Sequence, residues 1–206
     1  MSFFKPKNKC KICNRLNNYL QAQQEIFPSW HNKPVQGVGS LKSNFLIVGL
    51  APGLKGANKT SITFTGDFSG QLITKTLKKY NFLGDKESFN NTMNFRITNA
   101  VKCAPPNNKP NSSEINNCNR FLKSEITNMK NLKIILSLGL IAHKSILKVF
   151  EKKIVDFKFK HMAIHKINEK ILLVNSYHCS RYNIQTKRLS INNFEKIFNL
   201  VKKNLI

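Results

Sequence analysis

The stretch that decides the fold runs Phe45-Leu46-Ile47-Val48 into Gly49-Leu50-Ala51-Pro52-Gly53-Leu54-Lys55-Gly56-Ala57-Asn58-Lys59-Thr60, then Ser61-Ile62-Thr63-Phe64-Thr65-Gly66-Asp67-Phe68-Ser69-Gly70. Four consecutive apolar residues bounded by polar sequence read as a short strand buried on both faces. Glycines and small residues follow, too many for a helix or strand interior. Leu72, Ile73, Thr76 and Leu77 then fall at helical spacing. The order is strand, long loop, helix. In open α/β sheets ligands bind at the carboxyl ends of strands, in loops of this kind. A cradle for a nucleotide phosphate chain is the less favoured use, since no Gly-Lys-Ser/Thr sequence follows.

The same alternation continues outward. Strand-like runs are expected at Asn44 to Val48, Phe95 to Cys103, Lys133 to Gly139 and Ile171 to Val174. Helical spacing is carried by Leu16, Leu20 and Ile26 near the start, and by the segment ending near Lys79 with a turn through Gly84-Asp85. It returns in Ile115, Cys118, Phe121, Leu122 and Ile126, opened by Ser112-Ser113-Glu114 as a capped start. Two more helices are expected at Ile141 to Phe150 and after Ser190. Short apolar strands separated by helices imply a parallel sheet covered on both faces. The expected architecture is a three-layer α/β/α sandwich with a central four-stranded parallel sheet, in one domain over residues 1–206.

Thirty-four Lys and Arg face ten Asp and Glu, a net charge of +24. That field favours polyanions, and nucleic acid first. A lysine-rich, asparagine-rich composition also arises from AT-rich coding sequence, but such a bias does not remove acids. No basic amphipathic helix, lipid anchor or bilayer-length apolar run favours a membrane. The start lacks a secretory h-region, so a cytoplasmic protein is expected.

Five cysteines in such a chain point to metal or redox use rather than to a disulfide framework. Cys10 and Cys13 have the Cys-x-x-Cys spacing that lets two thiolates converge on one centre. Cys103 precedes a stiff loop, Ala104-Pro105-Pro106-Asn107-Asn108-Lys109-Pro110, and Cys118 lies on the next helix. Four thiols suit either zinc or an iron–sulfur cluster. Cys118 also fits the apolar face of its helix, which is the plainer use of a buried cysteine. Cys179 stands apart, beside His178.

Three stretches in order resemble one family: Gly49-Leu50-Ala51-Pro52 with Gly56-Ala57-Asn58-Lys59-Thr60 and Phe64-Thr65-Gly66-Asp67-Phe68-Ser69-Gly70; Thr98-Asn99-Ala100-Val101-Lys102-Cys103-Ala104-Pro105-Pro106; and Tyr177-His178-Cys179-Ser180-Arg181-Tyr182-Asn183 with Thr186, Arg188 and Leu189. With the cysteine pattern they resemble the uracil-DNA glycosylases that carry a 4Fe–4S cluster, in the family-five (class B) branch. The matches run from Cys10 to Leu189. The resemblance implies hydrolysis of the N-glycosidic bond of uracil in single- or double-stranded DNA, as the first step of base excision repair by a monomeric enzyme. It also implies a roomier pocket for other deaminated bases such as hypoxanthine.

The site residues follow from the same resemblance. Gly49, Leu50, Ala51 and Pro52 would line the base pocket. Phe64 would be its stacking face, where the residue type alone suggests a loop anchor. Asn99 would read the base edge, its plainer role being to satisfy backbone at a strand end. His178 would donate to the uracil oxygen on which charge develops. Asn58 or Asp67 would orient water, although Asn58 also suits a turn and Asp67 a helix cap. Lys102, Lys109, Arg181, Lys187 and Arg188 would meet phosphates, and Cys10, Cys13, Cys103 and Cys118 would hold the cluster.

Four departures stand against the pattern. Gly53-Leu54-Lys55 replaces the family's Ala-x-His, and Ser61-Ile62 replaces Gly-Arg. Cys179 replaces the proline of His-Pro-Ser. Ala51 occupies the place of the family-one aspartate, as throughout family five. The competing reading is a non-catalytic nucleic-acid-binding module with a structural four-cysteine zinc site. A small iron–sulfur electron carrier is a third, at odds with the charge and the scattered ligands.

Overall fold

The computed structural model describes residues 3–83, 89 and 93–205. Gly84 and Asp85 of the expected turn lie outside them. Among the described residues five strands form one sheet: β1 (Phe45–Gly49), β2 (Arg96–Asn99), β3 (Ile134–Leu138), β4 (Ile164–Lys166) and β5 (Leu172–Ser176), in the order β2-β1-β3-β5-β4. Seven helices among the described residues surround it: α1 (Asn14–Ile26), α2 (Ala57–Thr60), α3 (Phe68–Lys79), α4 (Ser112–Asn128), α5 (Leu140–Val149), α6 (Arg181–Gln185) and α7 (Ile191–Leu205).

The four expected strands are the four parallel ones. The fifth, β4, pairs antiparallel with β5 at the sheet edge, which corrects the four-stranded count. Its three residues are mostly exposed and lysine-rich sequence surrounds them. An edge strand needs no long apolar run, so periodicity does not reveal it.

Pleating explains why β1 is apolar throughout. Phe45 and Ile47 point to one face, where they pack with Ile73 and Leu77 of α3 and Phe194 and Phe198 of α7. Leu46 and Val48 point to the other, against Leu122 and Ile126 of α4 and Ile146 of α5. Ile73 and Leu77 are fully buried, each contributing about 1.5–3 kcal/mol by removal from water. Ile73→Ala would cost about 2–5 kcal/mol, because α3 has no second apolar stripe to offer.

The chain leaves β1 for α3 on one face and leaves β2 for α4 on the other. The loops therefore part where these neighbouring strands end, and a crevice opens at their carboxyl ends. A third apolar cluster seats α1 beside it: Leu16 and Leu20 pack with Val101, Cys103, Cys118 and Phe121. Ile26, expected on this face, is 62% exposed instead, since α1 turns its last residue to solvent.

Side chains cap the starts of α3, α4 and α6. Asn111, one residue before the expected cap, accepts from Glu114 N, while Glu114 accepts from Asn111 N in a capping box. Glu114 also receives two bonds of 2.8 Å from the Arg15 guanidinium, tying α1 to α4.

Candidate active site and thiol centre

A cleft of about 660 Å³ lies at the carboxyl ends of β1, β2 and β5. Gly49, expected to line it, instead ends β1 against the Phe64 ring and Asn99, and the loop after it forms the floor. Leu50, Ala51 and Pro52 line the cleft, and backbone bonds from Ala100 N to Gly49 O and from Val101 N to Leu50 O zip the loops after β1 and β2 together. Phe64 closes one side. It is 8% exposed and has a left-handed backbone, φ 56°, which a phenylalanine adopts only where the surroundings impose it. The imposing element is the start of α3: Gly70 sits against the Phe64 carbonyl so tightly that any side chain there would collide with it.

Asn99 ends β2 and lies beside Phe64. Its amide donates to Thr63 Oγ1 at 2.9 Å, leaving Oδ1 without a partner among the described residues. His178 comes from the end of β5. Its ring is enclosed on most sides yet still reached from the cleft. Burial holds its pKa below the ordinary 6.5, with the Asp67 charge pulling the other way. Asn183 Nδ2 donates to His178 O at 2.7 Å, and Ser180 Oγ caps α6 by accepting from Asn183 N. The loop that the family stiffens with proline is thus held by hydrogen bonds. Cys179 adds packing: it is fully buried and its thiol is pushed up to about 12 by burial, so it stays a neutral, unreactive filler.

The two candidates for orienting water separate. Asp67 lines the cleft. Its Oδ1 caps α3 through Gly70 N at 2.8 Å, while Oδ2 faces Gly53 and Gly56, where a side chain would stand 2.9 and 2.6 Å from it. Capping occupies one oxygen and leaves the other. Asn58 does not reach the cleft. It is fully buried on α2, its amide donating to Asn32 Oδ1 at 2.7 Å while its own Oδ1 has no partner among the described residues. The expectation that Asn58 could orient water is corrected: enclosed, it anchors α2 to the loop before β1.

A second correction concerns Lys102. It is 2% exposed and its ammonium bonds to Glu125 Oε2 and Thr98 Oγ1. Glu125 also takes Arg96 Nε and Nη2 at 3.0 and 2.7 Å. A lysine committed to a buried carboxylate cannot meet a phosphate. The other four cations are exposed. Arg181, Lys187 and Arg188 sit on and after α6, with Arg181 over the Phe68 ring at 5.6 Å and Arg188 over Tyr177 at 4.8 Å. Lys109 lies in the proline loop, its carbonyl accepting from Arg15.

Cys10, Cys13, Cys103 and Cys118 line one small cavity, with Leu16 and Phe121 as apolar walls. All four are free. Lys102 N donates to Cys118 Sγ at 3.4 Å and Asn117 Nδ2 to Cys13 Sγ at 3.6 Å. Burial pushes the Cys103 thiol far above its usual range and Cys118 up to about 11, the neighbouring cysteines adding to the first. Among the described residues no three Cys, His, Asp or Glu side chains are grouped tightly enough to grip one metal ion. The shared cavity carries more weight, because ligand sulfurs close in only when a cation is there to deprotonate them. Four soft donors, apolar walls and N–H groups aimed at sulfur suit a four-thiolate centre.

Three contributors escape sequence reading. Tyr19 of α1 and Asn107 and Asn108 of the proline loop all line the cleft. Tyr19 gives the one visible signal: an aromatic three residues after Leu16, on the flank of the apolar stripe of α1 and only partly buried. The Arg96–Glu125–Lys102 cluster leaves none, since Glu125 comes to the two cations from a distant helix.

Comparisons with known proteins agree with this geometry. A family model described as the uracil DNA glycosylase superfamily matches residues 36–202. The chain is similar to a type-5 uracil-DNA glycosylase of Thermus thermophilus, 31% identical over 98% of this chain and 96% of the relative. A type-5 uracil-DNA glycosylase of Pyrobaculum aerophilum is 31% identical over 91% of this chain and 85% of its own length. A type-4 uracil-DNA glycosylase of the same organism is 33% identical over 72% of both chains. A match of this extent, on a chain whose cleft gathers the three stretches that carried the resemblance, places the protein in the uracil-DNA glycosylase superfamily.

Proposed function

We propose that this protein hydrolyses the N-glycosidic bond of uracil in DNA, and that the observation carrying this reading is the convergence of Phe64, Asn99 and His178 on one cleft. A base must leave the stack to reach such a cleft, at a cost of roughly a few kcal/mol. Phe64 offers it a ring face. Asn99 offers Oδ1 to the ring N–H and an amide hydrogen to the neighbouring oxygen. As the C1′–N1 bond lengthens, its electron pair moves onto the uracil, and positive charge is left on the sugar. Neutral His178 donates a hydrogen bond to the uracil oxygen that gains charge, a type of contact worth about 2.7–4 kcal/mol. Asp67 Oδ2 holds a water against the sugar carbon, where its negative charge also favours the developing cation. Water oxygen bonds to C1′, one of its protons leaves to solvent, and the uracil anion departs and is protonated there.

The four cysteines would hold a 4Fe–4S cluster, which supplies a structural tie and no chemistry to the hydrolysis. Cys10 and Cys13, held with Cys103 and Cys118 on one such group, would tie residues 10–13 to the proline loop and α4, beside the Arg15–Glu114 pair. A four-thiolate zinc site is the alternative that the same donor set suits. The substrate is DNA, with Arg181, Lys187, Arg188 and Lys109 as phosphate contacts. The cleft volume leaves room for other deaminated bases, hypoxanthine included. Among the described residues no helix is long and apolar enough to cross a membrane.

The test is release of free base from oligonucleotides carrying uracil, hypoxanthine or xanthine opposite each normal base. Uracil release that falls at least a hundredfold in both His178→Ala and Asn99→Ala, about 2.7 kcal/mol each, is expected. Intact uracil-DNA after prolonged incubation with cluster-loaded protein would sink the reading.

A further inference from the structure

The cleft holds several times the volume of one pyrimidine, and the residues assigned to base and water leave much of its wall unused. That wall is chemically distinct. The floor residues Phe64 and Asn99 are buried, whereas Asn107, Asn108 and Lys55 at the mouth are exposed. Tyr19 joins them from α1, partly buried. Its ring pairs with no other aromatic among the described residues, and its hydroxyl makes no hydrogen bond there. Asn107 and Asn108 both have left-handed backbones, φ 53° and 55°, held by bonds from Asn108 N to Pro105 O and Lys109 N to Pro106 O. Their side-chain amides have no partner among the described residues. A built turn thus presents two idle amides beside an idle aromatic face, with one cation on the loop after β1.

Resting on the glycosylase reading, we propose that Tyr19, Asn107, Asn108 and Lys55 form a second nucleotide subsite, occupied by the same-strand neighbour of the extruded uridine. The parts match the ligand: a ring on which any base stacks, amides that reach a base edge, an ammonium for the linking phosphate. Delivery is covalent. A base seated on the cleft floor leaves its phosphodiester at the mouth, so the adjoining nucleotide arrives there without a separate binding event. An opposite-strand base has no such tether and stays with its own helix. The subsite also gives the thiol centre a direct functional consequence, because Cys10 and Cys13 anchor the helix on which Tyr19 stands.

The experiment uses the cluster-loaded full chain and single-stranded oligonucleotides with one uracil. Either neighbour is left intact or replaced by an abasic tetrahydrofuran residue, and KM and kcat are measured separately. For the wild type, removing the neighbour on one side is expected to raise KM about tenfold, the loss of one base–aromatic stack. In Tyr19→Ala that sensitivity disappears, and in Tyr19→Phe it returns. Asn107→Gly, which suits the left-handed backbone and leaves α1 untouched, is expected to flatten the KM differences among the four neighbouring bases. Equal neighbour effects in wild type and Tyr19→Ala, or none in the wild type, would overturn the subsite while uracil release upholds the glycosylase. No uracil release from any oligonucleotide would overturn both.

Discussion

Phe64 and Asn99 meet over the α-carbon of Gly49. A methyl group there would stand 2.5 Å from Asn99 Oδ1 and closer still to the Phe64 ring. Stacking face and base reader therefore share one contact, and the glycine is what allows it. Gly49→Ala should push the two apart while β1 keeps its pairing with β2 and β3. Displacements near 1 Å at a reacting centre cost about a hundredfold in rate. Uracil release lowered by about that factor, with an unchanged circular dichroism spectrum, is the expected result.

His178 should be neutral at physiological pH. Burial disfavours its charged form and holds its pKa below 6.5, while Asp67 opposes that. A ring NMR titration should find a midpoint below 6.5. Asp67→Asn removes the opposing charge and should move the midpoint lower still. The linkage has a definite sign. Below pH 6.5 the unfolded chain binds a proton at this position that the folded chain refuses, so His178 makes stability fall with falling pH in that window. A midpoint above 6.5 would contradict the geometry.

Legibility tracked physical necessity. β1 and β3 are nearly continuous apolar runs because helices cover both faces, and Ile134–Leu138 is hard to miss even with Ser137, which donates to Asn175 Oδ1. Gly49, Phe64 and Asn99 lie in stretches constrained enough to carry a recognisable pattern. Lys102 is hard to place from sequence for the converse reason. Next to Cys103 and inside a basic chain it reads as a phosphate contact, and only the fold brings Glu125 to it from α4. Asn58 and Asp67 read alike in sequence, and only burial separates them. Tyr19 is 80 residues from Asn99 by numbering, and no local spacing could join the two to one cleft.

Glu125 should be one of the most costly residues to neutralise. Burial alone would raise its pKa, but Lys102 and Arg96 outweigh that and hold it below the ordinary carboxylate value. Both cations are themselves buried. Removing their shared partner leaves two enclosed charges, at about 3–5 kcal/mol. Glu125→Gln should lower the melting temperature by roughly 10 °C, at about 2–4 °C per kcal/mol for a chain of this size. The depressed carboxylate contributes stability above its unfolded pKa and loses it as pH falls through the folded value. The variant's deficit should therefore shrink in acid, which thermal melts from pH 7 to pH 3 will show.

The two groups of cations should separate in salt. Each phosphate contact that DNA binding uses adds about one unit to the slope of log affinity against log salt. Arg181, Lys187 and Arg188 are exposed around α6, close to the loop carrying His178. Changing any one to alanine should weaken binding to uracil-free DNA and reduce the slope by about one. Lys102 is enclosed by Glu125 and Thr98. Lys102→Met should leave the slope unchanged and lower stability instead, by stripping Glu125 of one of its two cations. A salt titration by fluorescence anisotropy, run beside thermal melts of the same variants, distinguishes the two behaviours. A reduced slope in Lys102→Met with an unchanged melting temperature would place that ammonium on the DNA after all.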